Sequence, residues 1–139
     1  MKPLMQTRTT NETETEHGNC FAACVASILE LPIDDVPRFE EMPDGQWFLP
    51  FWDLLKAYGY EFHGTRTCGD LPAWPEDTTL FEPLGPGVDG YYIVGGGSPR
   101  GVKRGHCVIY KDGRMVHDPH PSQAGVTCIQ EVYLIERAS

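Results

Sequence analysis

The order in which the predicted elements follow one another favours the α+β class. Two helix patterns, at residues 19–31 and 47–58, come first, and all the strand patterns lie after residue 59. Helices and strands that are segregated along a chain are typical of α+β proteins, whereas a doubly wound sheet needs the two to alternate. A length of 139 residues is enough for one domain with its own core. We therefore expect a single α+β domain over residues 1–139.

The N-terminal part predicts a loop that runs into a helix. Residues 7–17 are polar and β-branched without an apolar face, which predicts a flexible polar loop. Gly18 provides backbone freedom for a turn, and Asn19 is a residue type whose side chain caps helices. Apolar side chains then recur on one helical face, at Cys20, Cys24, Ile28 and Leu31. Pro32 disfavours helical backbone in the residue before it, so we expect the helix to end near Leu31.

The remaining elements follow from apolar periodicity and from turn residues. Residues 32–37 predict one short helical turn between two prolines. Residues 47–58 predict a second helix with Gly59 just after its end, and we expect its aromatic residues in the core. Alternating or apolar runs predict strands, at residues 60–64, 91–94, 106–110, 114–117 and 131–136. Residues 67–90 are rich in proline and glycine and predict an irregular connection.

Composition and charge argue against several classes of protein. The formal net charge of −9 disfavours binding to nucleic-acid phosphates. No stretch is long and apolar enough for a membrane span, and the first residues lack the apolar segment of a signal peptide. Five cysteines without the spacing of a disulfide framework predict reduced thiols in a cytoplasmic protein. Nothing in the sequence predicts an oligomeric state.

Cys20 is a candidate nucleophile because of its place at the start of the first predicted helix. A thiol at a helix N-terminus lies in the positive end of the helix dipole, which lowers its pKa and raises the thiolate fraction. The same position offers a backbone N–H to a developing oxyanion. The alternative is that Cys20 is a small buried hydrophobic residue, as free cysteines often are.

Residues 106–119 form a hairpin pattern that brings a histidine near an acid. With a two-residue type I′ turn at Asp112 and Gly113, His106 pairs with Pro119. With a three-residue loop, His106 lies opposite Asp118, and the carboxylate can accept the imidazole Nδ1–H. Both registers fit the sequence, and we favour the second because it gives Gly113 the position that needs a positive φ.

Cys20, His106 and Asp118 together form a nucleophile, a base and an orienting acid, in that order along the chain. A lone histidine on a strand is more often structural than functional. The combination of a thiol at a helix start, a hairpin imidazole and an opposed carboxylate nevertheless favours a catalytic site.

Zinc binding is the main rival interpretation of these side chains. Six residues are possible ligands, namely Cys20, Cys24, His106, Cys107, His117 and His120. Strand alternation is expected to turn Cys107 and His117 away from His106, and the sequence lacks the paired ligand spacing typical of zinc sites. We therefore expect no metal and no other cofactor, and we interpret Cys107 and Cys128 as packing residues.

Two regions of the chain resemble papain-like cysteine peptidases. The segments that carry the resemblance are GNCFAAC at residues 18–24, GHCVI at 105–109 and VHDP at 116–119. Within that superfamily the chain is most similar to small peptidases of the double-glycine-leader, bacteriocin-processing type. Short phage and bacterial proteins of this kind share two further segments, here LPIDDVP at residues 31–37 and HDPHPS at residues 117–122.

The resemblance implies a papain-like core in which the nucleophile helix packs on an antiparallel sheet. It implies Cys20 as nucleophile, His106 as base and Asp118 as orienting residue. The activity it implies is hydrolysis of a peptide or amide bond in a peptide or protein substrate, in the cytoplasm of a bacterial host if the chain is phage-encoded. A non-catalytic papain-like module that sequesters a peptide or host protein is the alternative, and an acyl transferase with the same triad is a lesser one.

The resemblance also raises the question of the oxyanion donor. Papain-like enzymes place a glutamine a few residues before the cysteine, but the only upstream glutamine here is Gln6, fourteen residues away. Gln6 reaches the site if residues 7–17 loop out, and Asn19 or the backbone alone is the alternative donor. We further consider three substrate-binding candidates, each of which has a solvated-loop interpretation as well: Arg100, His117 and His120.

Overall fold

The computed structural model describes residues 1–9, 18–43, 45–72, 85–101 and 105–138, with the backbone alone for residues 69–72. Two α-helices precede the strands within these ranges, α1 (Cys20–Leu29) and α2 (Phe48–Ala57). Short 3-10 turns lie between them, at Ile33–Asp35 and Phe39–Glu41. The strands are β1 (Tyr60–Pro72), β2 (Tyr91–Gly96), β3 (His106–Lys111), β4 (Arg114–His117) and β5 (Cys128–Arg137). The expected α+β class is confirmed.

The strands form one antiparallel sheet in the order β1-β5-β2-β3-β4. β5 follows all the others along the chain, yet it lies inside the sheet between β1 and β2. β2 and β3 pair from Tyr91 opposite Lys111 to Gly96 opposite His106. The start of β3 therefore lies beside the glycine end of β2, and this corner of the sheet carries His106.

The two faces of the sheet belong to separate apolar clusters. Ile93 and Ile109 belong to the cluster that α1 and α2 cover, whereas Val94 and Val108 belong to the cluster on the other face. This division follows from strand geometry, since successive side chains point to opposite faces. Every residue of α1 after Cys20 is buried, so the helix is a core element rather than an amphipathic surface helix.

Phe21 anchors the start of α1 in an aromatic cluster. Its ring lies 4.9 Å from that of Tyr133 on β5 and 5.3 Å from that of Phe51 on α2, measured between centroids. Phe39 and Trp47 complete the set at 5.6 and 5.7 Å. Edge-to-face pairs of this kind stabilise by about 1 kcal/mol each beyond the area they bury. The residue next to Cys20 is thus held by three other elements.

The ends of the two helices agree with those predicted, but two aromatic side chains on the outer side of α2 are not in the core. α1 ends two residues before Leu31, and Gly59 follows α2 with a φ of 84°, as expected for a residue that ends a helix. The expectation of an aromatic core holds for Phe51, which is fully buried, but is wrong for Trp52 and Tyr58, which are 39% and 50% exposed because they lie on the outer side of α2. None of the described helices combines the length and apolar character needed to cross a bilayer.

β1 is longer than its sequence predicts. The expected strand ended at residue 64 and an irregular connection was expected from residue 67, but β1 continues to Pro72. Pairing with β5 carries it there, from Tyr60 opposite Arg137 to Pro72 opposite Cys128, with two irregularities in register. A neighbouring strand supplies hydrogen-bond partners regardless of local propensity, so tertiary pairing overrides the proline and glycine signal.

The hairpin of β3 and β4 uses the register that we did not favour. Lys111 pairs with Arg114 across a two-residue turn, and both turn residues, Asp112 and Gly113, have positive φ values of 54° and 77°. A bulge then shifts the register so that Ile109 lies opposite His117. β4 ends there, so the expected ladder position of His106 opposite Asp118 does not form.

Candidate active site

Three chain segments bring the predicted triad residues together. Cys20 is the first residue of α1, His106 is the first residue of β3, and Asp118 directly follows β4. Because α1 packs on the face of the sheet that includes β3, the N-terminus of the helix lies at the corner where β3 begins. The sequence separations of these residues are bridged by the packing of one helix on one hairpin.

His106 and Asp118 are joined through Nε2 of the imidazole and Oδ1 of the carboxylate, 2.6 Å apart, and both side chains are buried. The carboxylate also accepts the N–H of His120 at Oδ1, at 2.9 Å, and the N–H of Gly125 at Oδ2, at 2.7 Å. Burial alone would raise the pKa of Asp118, but these hydrogen bonds lower it. The expectation of a contact through Nδ1 is wrong, and Nδ1 is the ring nitrogen left for the thiol.

Three neighbouring groups lower the pKa of Cys20 by hydrogen-bonding interactions with its sulfur: the Cys107 thiol, the His106 imidazole and the Cys107 N–H. The Cys107 thiol is the strongest influence, and together with His106 it outweighs burial, so the pKa of Cys20 lies well below that of an ordinary thiol. Burial lowers the pKa of His106, but hydrogen bonds to Asp118 and Cys20 raise it to about 9. Both shifts favour a thiolate paired with an imidazolium at neutral pH.

Cys107 is a site residue that the sequence analysis treated as packing. As expected from strand alternation, its side chain lies on the face of the sheet that α1 covers, opposite to the side expected for His106. The start of α1 on that face carries Cys20, so Cys107 lies next to the thiol of Cys20. Its hydrogen bond to Cys20 and its burial raise the pKa of the Cys107 thiol well above the ordinary value, so it stays a donor. The available signal was the adjacency of Cys107 to His106 at a strand start under a helix.

Glu40 is a second site residue without a sequence signal. Asn19 occupies the N-cap position of α1, but its side chain makes no capping hydrogen bond, contrary to expectation. Glu40 Oε2 accepts the N–H of Phe21 at 2.8 Å and of Ala22 at 3.4 Å instead. The cap of α1 therefore comes from the second 3-10 turn, about twenty residues later in the chain, which local capping rules do not anticipate.

The two side-chain candidates for the oxyanion donor are engaged with the N-terminal segment. The Gln6 amide Nε2 donates to the carbonyl oxygen of Arg8 at 2.7 Å. The Asn19 amide accepts from the N–H groups of Thr7 and Arg8 at 3.0 and 2.9 Å and donates to the Thr7 hydroxyl at 2.8 Å. Thr7 and Arg8 are thus fixed beside α1. Of the rest of the predicted loop, Thr9 is described and residues 10–17 lie outside the described residues.

The three substrate-binding candidates lie in different places. His117 is buried and its Nε2 donates to the carbonyl oxygen of Leu4 at 2.7 Å, so it holds the N-terminal segment. His120 lies next to the triad, with its ring centroid 6.1 Å from that of His106. Arg100 is exposed and donates to the Ser122 hydroxyl at 3.0 Å, on the loop that carries His120.

A cleft of about 410 Å³ opens over the thiol. Its walls include two free thiols, an imidazole, two acids and an indole, namely Cys20, Cys107, His106, Glu40, Glu131 and Trp47. Gly95 and Gly96 of β2 form part of the floor. A Cβ at Gly95 would lie 2.8 Å from Glu131 Oε1, and one at Gly96 would collide with the carbonyl oxygen of Cys128. These glycines let the sheet approach closely under the cleft.

Neither a search for metal ligands nor comparison with known proteins adds information on the site. Among the residues that the structure describes, no three His, Cys, Asp or Glu side chains are grouped to share a metal ion. Comparison of the chain with protein-family models, with curated proteins and with solved structures gives no match.

Proposed function

We propose that the protein is a papain-like cysteine hydrolase that cleaves a peptide or amide bond. The observation that carries the proposal is the meeting of three side chains: Cys20 and His106 line one cleft and interact with each other, and the buried Asp118 carboxylate is hydrogen-bonded to His106 behind them. A nucleophile, its base and the group that orients the base are the three parts that covalent hydrolysis requires.

The charge state of the pair supports the proposal. A lowered pKa at Cys20 and a raised pKa at His106 maintain thiolate and imidazolium together near neutral pH. The thiolate is the nucleophilic form of cysteine, and the imidazolium is the form that can protonate a leaving amine. The buried Asp118 carboxylate, itself held by two backbone N–H groups, stabilises the imidazolium and fixes its orientation.

The proposed reaction has two stages. The Cys20 sulfur attacks the carbonyl carbon, and the oxyanion is stabilised by the Cys20 backbone N–H at the start of α1. Nδ1 of His106 gives its proton to the nitrogen, the C–N bond breaks, and an amine leaves a thioester on Cys20. His106 then takes a proton from water, whose oxygen attacks the thioester and releases a carboxylic acid and the thiolate.

A papain-like core is part of the same proposal. The buried helix with Cys20 at its N-terminus packs on an antiparallel sheet, and His106 starts a strand of that sheet, as the resemblance of the sequence implies. The placement of Gln6 departs from it, because its amide bonds to Arg8 rather than lining the cleft. This departure favours the second candidate, a papain-like module that binds a peptide without cleaving it.

Labelling with a peptide-like, thiol-reactive probe tests the proposal. We expect the probe to modify Cys20 selectively near neutral pH, as located by mass mapping, and to leave Cys20→Ala unlabelled. Cys24→Ala is the matched control, because Cys24 lies one turn further along α1, is fully buried and has a raised pKa. Alkylation of Cys20 no faster than that of a free thiol would contradict an activated nucleophile. Retention of biological activity by Cys20→Ala would favour the binding module.

A further inference from the structure

Glu40 lies against both the first turn of α1 and the cleft. Its Oε2 accepts the Phe21 N–H at 2.8 Å and the Ala22 N–H at 3.4 Å, the two amides that directly follow Cys20. Glu40 and Cys20 both line the cleft. The N-terminus of a helix favours an anion, and here the anion is a side chain of the protein itself.

We propose that Glu40 is a positioning residue for Cys20, because it holds the first turn of α1 in place. The carboxyl group of Glu40, by gaining or losing its proton, also sets the charge that an incoming acyl group meets in the cleft. This inference rests on the proposed role of Cys20 as nucleophile. It adds a determinant of substrate charge to that role, since a neutral Glu40 tolerates an anionic substrate and an ionised Glu40 repels it.

The groups around Glu40 explain why its charge is finely balanced. Three thiols interact electrostatically with Glu40, those of Cys20 and Cys24 on α1 and that of Cys107 on β3. On its own turn, Glu41 forms ion pairs with Arg38 and with Arg8. Two further ionisable side chains line the same cleft, those of His106 and Glu131.

Burial and the neighbouring Cys20 thiolate raise the pKa of Glu40 to about 7, although backbone N–H groups oppose the shift. Below that pH the thiolate and the imidazolium balance each other beside a neutral Glu40. Above it the same pair has an additional negative neighbour. The added charge strengthens the thiolate as a nucleophile toward a neutral reagent and repels an anionic reagent.

The test compares iodoacetamide, which is neutral, with iodoacetate, which is anionic and of similar size. The rate constant for alkylation of Cys20 in the full chain is measured with each reagent from pH 5.5 to 8.0, a range in which His106, with a pKa of about 9, keeps its proton, and the site is located by mass mapping. We expect the ratio of the iodoacetamide rate to the iodoacetate rate to rise about fivefold through neutral pH. In Glu40→Gln, which retains an oxygen acceptor for the two N–H groups, we expect the ratio to stay constant.

Glu41→Gln is the matched control, because it removes the same charge one residue away from an exposed side chain, and we expect its ratio to follow the wild type. A constant ratio in the wild-type protein, with fast labelling of Cys20, would overturn the role of Glu40 and leave the proposed hydrolase intact; this arm requires no variant to fold. A rise that persists in Glu40→Gln would also overturn it. Slow labelling of Cys20 at every pH would overturn the hydrolase and this inference with it.

Discussion

His106 Nε2 lies 2.6 Å from Asp118 Oδ1, although the two residues are not partners in the β-ladder. β4 ends at His117, and the carboxylate is presented by the loop that follows. The backbone N–H of His120 donates to the same oxygen, Oδ1, and that of Gly125 donates to Oδ2, so both oxygens of the carboxylate are held. The imidazole is thus oriented by a loop whose geometry is set by its own backbone donors.

Replacement of Asp118 by Asn tests this orientation. The variant removes the charge that stabilises the imidazolium, so we expect the pKa of His106 to fall from about 9 and Cys20 labelling by a peptide-like probe to slow about 100-fold at pH 7.5. The alkaline limb of the rate profile, where His106 loses its proton, should move to lower pH. Asp112→Asn is the control, because it makes the same change in the exposed turn of the same hairpin. An unmoved limb would contradict the role of Asp118.

Replacement of Cys107 tests whether its thiol lowers the pKa of Cys20. Cys107→Ala removes the side-chain donor but keeps the backbone N–H, so we expect the midpoint of Cys20 alkylation to move to higher pH and the rate at pH 6 to fall about tenfold. Cys107→Ser restores a donor and should recover most of the rate. Cys128→Ala, a partly buried thiol on β5, serves as control. Equal profiles for the Ala variant and the wild type would show that Cys107 only packs.

Replacement of Gln6 by Ala distinguishes an oxyanion donor from a structural residue. Loss of one oxyanion donor costs about 10²–10³ in rate. Because the Gln6 amide donates to the carbonyl oxygen of Arg8, we expect Gln6→Ala to change the affinity for a peptide aldehyde less than about threefold. The aldehyde forms an oxyanion-like adduct with the thiol, and its affinity is measured by protection of Cys20 from iodoacetamide. A loss of 100-fold or more would place Gln6 in the oxyanion site.

Two neighbouring glycines under the cleft should differ in their tolerance of a methyl group. A Cβ at Gly96 meets the backbone carbonyl of Cys128, which cannot move without breaking the β2–β5 pairing, so we expect Gly96→Ala to cost about 2–3 kcal/mol of unfolding free energy. A Cβ at Gly95 meets the Glu131 side chain, at Oε1 and at Cγ, and a side chain can rotate away more easily than backbone, so the substitution should cost less than about 1 kcal/mol. Urea denaturation of the two variants measures the difference, and equal losses would contradict the packing described.

The parts of the fold that sequence predicted are those determined by nearby residues. α1 follows from its apolar run and from Pro32, and β4 has the predicted bounds because turn residues precede and follow it. The second half of β1 escaped prediction because it is held by β5, about sixty residues away, rather than by its own composition. The turn register was misjudged because the bulge after Ile109 leaves no local trace.

The site divides in the same way. Cys20, His106 and Asp118 were chosen from residue type and helix or hairpin context, and the structure brings them into contact. Glu40 and Cys107 were not, because a glutamate in a polar connection and a cysteine on a strand are ordinary until the packing of α1 places Cys20 beside both. Which neighbours tune a thiol depends on how elements dock, and that information is not local.

The position of β5 inside the sheet, between β1 and β2, has a consequence for the nascent chain. Phe21, next to the Cys20 thiol, packs on Tyr133, so the N-terminus of α1 lacks part of its packing surface until residues 128–137 have been synthesised. A nascent chain in which Cys20 and His106 have left the ribosome but β5 has not therefore lacks part of the surface that aligns them. In the proposed hydrolase, β5 is therefore the element that completes the active site.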